Sequence, residues 1–76
     1  MGKGADFMPL TMAEIGNSNT IKRIGGKEEV KRFLANLGLI EGSIVKVITS
    51  ISGNVIVDIM GTRVAISSKM AEKIYI

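Results

Sequence analysis

The strongest periodic signal in the chain lies between residues 27 and 38. Val30, Phe33, Leu34 and Leu37 fall at i, i+3, i+4 and i+7, which predicts an amphipathic helix with one apolar stripe. Glu28 and Arg32 stand four apart in the favourable order on the opposite face, while Lys27 and Lys31 line one flank. Gly38 stops this helix, and with Gly38 in a left-handed conformation Leu39 would touch Leu34, the contact of a Schellman ending. Upstream, Thr11 and Glu14 have the spacing of a capping box, and Leu10 and Ile15 that of a hydrophobic staple. These predict a one-turn helix closed by Gly16. Residues 17–19 read as a turn and residues 20–24 as a first strand, in which Ile21 and Ile24 break strict alternation, as a twist or bulge would.

After Ile40 the β-branched residues take over. Residues 43–51 predict a long strand with Ile44 and Ile48 on one face and Val45, Val47 and Ile51 on the other. A hairpin loop at residues 52–54 leads into a strand at 55–60. Gly61-Thr62 forms the next tight turn before a strand at 63–67. A helical turn with a serine cap is expected at 68–73, and residues 74–76 return as a last short strand. Strands joined by two or three residues are antiparallel neighbours. About five short strands and one good helix predict a mainly β fold with short helices, a small closed or partly closed barrel, since closure removes exposed edges. Residues 1–8, with two glycines and no periodicity, are expected to be a flexible arm on a single domain at 9–76.

Composition then removes whole classes of chemistry. The 76 residues contain no cysteine and no histidine, so there is no thiolate, no imidazole base and no nitrogen-rich metal site. No catalytic, cofactor-binding or metal-ligating residue is expected. The carboxylates are scattered, and the adjacent Glu28 and Glu29 point about 100° apart on a helix, a poor chelate. Asp58, within an apolar stretch, is expected at an outward strand position beside Lys46 or Arg63. Gly25-Gly26-Lys27 precedes a helix but lacks the phosphate-loop pattern and is followed by two repelling glutamates. The five methionines show no tight spacing, so core filling and a start codon explain most of them. No apolar run approaches the roughly 20 residues of a bilayer span, and no signal-peptide pattern opens the chain, so a cytosolic location is expected.

The charge is local. Ten basic residues against seven acidic give +3, and the segment 22–32 alone, with Lys22, Arg23, Lys27, Lys31 and Arg32 against Glu28 and Glu29, accounts for all of it. Such an excess can steer an acidic partner, but it is small beside the roughly 6 to 10 phosphate contacts of strong nucleic-acid binders. The aromatics are also few (Phe7, Phe33 and Tyr75), which disfavours a base-stacking platform.

The order of signals resembles a known family. Met8-Pro9-Leu10-Thr11-Met12-Ala13-Glu14 precedes a basic strand ending in Gly25-Gly26. A helix follows, closing as Phe33-Leu34-Ala35-Asn36-Leu37-Gly38-Leu39. Glu41-Gly42-Ser43 then opens a Val-Lys-Val strand, and Gly61-Thr62-Arg63-Val64-Ala65-Ile66 and Ala71-Glu72-Lys73-Ile74 complete the series. Over residues 8–76 this resembles the ferrous iron transport protein A (FeoA) family. Ser67, where the family often has a basic residue, and the Asn17-Ser18-Asn19 link depart from it at loop level.

The resemblance implies an SH3-like β-barrel, not an enzyme and without a cofactor, that assists the membrane ferrous iron permease FeoB. It would act by protein contact in the bacterial cytosol, peripheral at the inner face of the membrane through that partner, with no nucleic acid bound. The expected docking residues are Lys22, Arg23, Lys27 and Lys31, with Leu39 and Ile40 as an apolar centre, and Arg63. A sharper form makes the domain an activator of the partner's GTP hydrolysis, with Arg23, Arg32 and Arg63 as the candidate arginines. The alternatives are a nucleic-acid-binding β-barrel and a stand-alone regulatory module of the kind appended to iron-dependent repressors.

Overall fold

A computed structural model describes residues 7–76, so most of the arm expected at residues 1–8 lies outside the described residues. A 3-10 turn at Leu10–Met12 is followed by β1 (Ser18–Thr20), β2 (Arg23–Ile24), helix α1 (Glu28–Asn36), β3 (Ile44–Ile51), β4 (Asn54–Ile59) and β5 (Thr62–Ser67). A short helix α2 (Ser68–Ala71) and β6 (Ile74–Tyr75) end the chain. The fold is mainly β, as expected. One sheet has the order β1-β3-β4-β5 and the other pairs β2 with β6, all antiparallel.

The first predicted strand is two strands. Ile21 donates its N–H to Ser43 O, whereas Lys22 donates to Tyr75 O, so consecutive residues serve different sheets. The chain turns a corner there, and Ile21 and Ile24 are both buried although they stand three apart. This is the physical reason for the broken alternation. Beside β2, β6 also meets the N-terminal segment: Met8 and Ile76 exchange two backbone hydrogen bonds and Pro9 bridges to Tyr75. The expected arm has therefore joined the sheet by Met8.

The β3–β4 register shifts between Val47 and Thr49, which leaves Ile48 as an extra residue. One inserted residue exchanges the faces of everything after it. Val45 and Val47 are buried, but Ser50 now lies opposite Val55 and Ile51 opposite Asn54, leaving Ile51 exposed and off the face predicted for it. Both hairpins close with two-residue turns, Ser52-Gly53 and Met60-Gly61, with positive φ at each residue, as a type I′ turn requires. The second turn thus sits one residue earlier than predicted. Asp58 Oδ1 accepts the Gly61 N–H at 2.9 Å and braces it.

Helix α1 ends as its sequence predicts. Gly38 has φ +94°, its N–H donates to Ala35 O, and the Leu39 N–H donates to Leu34 O, the two bonds of a Schellman motif. Of the predicted stripe, Leu34 is buried and Val30 and Leu37 pack half-buried against the core, while Phe33 lies at the rim. Ser67 caps α2 through its Oγ, which accepts the Met70 N–H at 3.2 Å. The N-terminal staple does not form: Pro9 stands at the cap of the 3-10 turn and Ile15 is 62% exposed, although Leu10 is buried. The core is filled from β3, β4 and β5 by Val45, Val47, Val55, Val57, Ile59 and Ile66. Leu10, Leu34, Leu39 and Ile74 close it from the other elements.

Candidate protein-docking face

β2 and β6 are two residues each, and their register decides which side chains reach solvent. Ile24 pairs with Ile74, both buried, so Arg23 and its partner Tyr75 share the outer face. Lys22 is exposed beside them. The chain then turns at Gly25-Gly26 into α1, with Lys27 as its cap residue and Lys31 one turn on, its N–H donating to Lys27 O at 3.0 Å. Because α1 turns Leu34 inward, Lys27 and Lys31 remain exposed on its flank. A further lysine joins them. A Cβ on Gly26 would stand 3.6 Å from Cγ and Cδ of Lys73, so the Lys73 stem runs over the corner. Sequence reasoning missed Lys73 because it is remote in the chain, and only the predicted return strand at 74–76 hinted at its place.

The other predicted residues part company. Arg63 is the second residue of β5 in the larger sheet, where its partner is Asp58, whose other partner is Lys46. Asp58 is therefore the outward strand residue expected between those two cations. Leu39 requires a correction: it is 0% exposed, a core residue at the end of α1, and is not available to a partner. Its neighbour Ile40 is 48% exposed and keeps the surface position expected of it. The Schellman ending explains the difference, since its accompanying apolar contact directs the residue after glycine inward.

Among the described residues no group of three carboxylates gathers to hold a metal, and no helix is long and apolar enough to cross a membrane. What the region offers is a positively charged corner with an apolar border. The model of the FeoA domain family matches residues 8–76.

The chain belongs to the FeoA domain family. Its structure is similar to the crystal structure of an iron uptake regulatory protein (FeoA), with TM-score 0.83 and 26% identity over 91% of this chain and 92% of that one. The solution structure of FeoA from Chlorobium tepidum is similar at TM-score 0.80 and 25% identity, over 88% of this chain and 66% of that one. T. acidophilum IdeR shares the fold at TM-score 0.83 and 24% identity, and this chain spans 35% of its length. Among curated proteins no sequence matches. The SH3-like fold expected from the resemblance thus holds, and FeoA family membership supports a role in ferrous iron uptake.

Proposed function

We propose that this FeoA domain is an accessory of ferrous iron uptake that docks, without chemistry of its own, on the cytoplasmic GTP-binding part of a FeoB-type permease. The observation that carries this reading is the placement of charge. Lys22, Arg23, Lys27 and Lys31 are exposed around one corner, joined by Lys73, while Lys46 and Arg63 lie across from Asp58 in the larger sheet. A predominantly positive face steers association with an acidic surface and fixes orientation more than it adds affinity. Ile40, exposed past the end of α1, supplies the apolar area in place of the buried Leu39. Of the three candidate arginines, Arg23 stands on this face, and Arg63 stands in the other sheet. Docking through the partner would hold the domain at the inner face of the membrane.

Retention of the domain on the immobilised GTP-binding part of the permease, measured against rising salt, tests the reading. Screening shortens to about 3 Å at 1 M, so retention is expected to fall steeply across that range. Absence of retention at low salt would remove the docking role and favour the regulatory-module reading, which the shared fold of IdeR supports.

A further inference from the structure

Resting on the docking role above, we propose that the cleft beside Arg23 receives an extended acidic segment of the partner protein. An apolar side chain of that segment sits between Phe7 and Tyr75, and a carboxylate meets the Arg23 guanidinium. The cleft measures 390 Å³ and is lined by Phe7, Arg23, Gly25, Gly26 and Tyr75. Its walls follow from register: Arg23 and Pro9 flank Tyr75 on its two sides, and Phe7, two residues before Pro9, falls on the same face.

Gly25 keeps this cleft open for a reason separate from backbone freedom. It has no positive φ, yet a Cβ there would stand 3.2 Å from Tyr75 Cε2 and 3.6 Å from Lys73 O. The missing side chain supplies space beside the aromatic ring. Arg23 is the one charged residue among those lining the cleft, and Lys22, Lys27 and Lys73 surround it along the corner. Positive charge selects an acidic occupant, and two aromatic walls select one that also carries an apolar side chain. A protein segment unites those properties, whereas a lipid headgroup or free phosphate offers only the charge.

Tyr75 is the chain's single tyrosine and there is no tryptophan, so its emission reports on this cleft alone. The probe is a short peptide of glutamate and aspartate with one central tryptophan, with a lysine-for-acid counterpart as control. Tyr75 emission is expected to fall saturably as energy passes to the acidic peptide. The apparent affinity should drop about fivefold or more in Gly25→Ala and in Arg23→Gln, in line with loss of an interface anchor. Far-UV circular dichroism checks that both variants keep the fold. An equal response to the lysine peptide, or an unchanged affinity in both variants, overturns the proposal, as does capture by anionic phospholipid vesicles that Gly25→Ala leaves intact. The same variants titrated with the permease's GTP-binding part separate the two levels. If reversal of Lys22, Lys27 and Lys31 to glutamate abolishes binding while Gly25→Ala and Arg23→Gln do not, the face stands and the cleft is wrong. If none of these changes matters, the docking role falls with it.

Discussion

The larger sheet and the smaller β2–β6 sheet are both antiparallel and both bury one face, yet they dispose of charge in opposite ways. Across the outer face of the larger sheet, Lys46, Asp58 and Arg63 are register partners on three successive strands, so opposite charges alternate. The smaller sheet has no such room. Its outward pair is Arg23 and Tyr75, and the nearby acids Glu28 and Glu29 occupy the first turn of α1, where the helix dipole favours them. Arg23 thus has no acid across from it, and with Lys22, Lys27, Lys31 and Arg32 on the flanking segments it leaves the excess of +3 on this side of the molecule.

The largest expected effect concerns two neighbours that the docking reading had paired. Leu39→Ala should lower the unfolding free energy in urea by about 2–5 kcal/mol, because the side chain is fully buried. Ile40→Ala should stay within about 0.5 kcal/mol. The reverse order would return Leu39 to the surface. Gly38→Ala comes next, at about 1–2 kcal/mol, since φ is +94° and the added Cβ would meet Ile59 Cγ2 at 3.1 Å.

A smaller loss, about 0.5–1.5 kcal/mol, is expected for Asp58→Ala, which removes the acceptor of the Gly61 N–H and leaves two cations flanking a neutral position. Lys31→Ala, on the unbalanced side, should leave stability within about 0.5 kcal/mol. Thermal melts of the two variants sharpen the contrast between the sheets, and equal losses would erase it. Smallest of all, Met60→Asn should stabilise by about 0.5 kcal/mol, because a φ of +52° suits asparagine in an I′ turn better than methionine.

The helix, its Schellman ending, the capped turn at Ser67 and the antiparallel hairpins were legible in the sequence because each rests on local chemistry. What escaped it was set by tertiary pairing. The corner at Ile21 and Lys22 arises because adjacent amides find acceptors in different sheets, and the irregularity at Ile48 has no signature in a run of β-branched residues. For the candidate site, the basic cluster followed from counting charge by segment. The burial of Leu39 was implicit in the Schellman contact itself, and it displaces Leu39 from the docking surface. Lys73 and the aromatic cleft depend on β6 folding back beside β2, a long-range pairing that no local pattern announces.

The central claim, that the unbalanced corner is the docking face, is tested most directly by calorimetric titration of the permease's cytosolic GTP-binding part. Wild type, Lys22→Glu/Arg23→Glu/Lys27→Glu/Lys31→Glu and Lys46→Glu would be compared at one ionic strength. The fourfold reversal at the corner of β2 and α1 should weaken binding by about tenfold or more, a change of about 1.4 kcal/mol. Lys46→Glu, in the balanced row, should leave binding as in wild type. Equal affinity for all three proteins would contradict the claim.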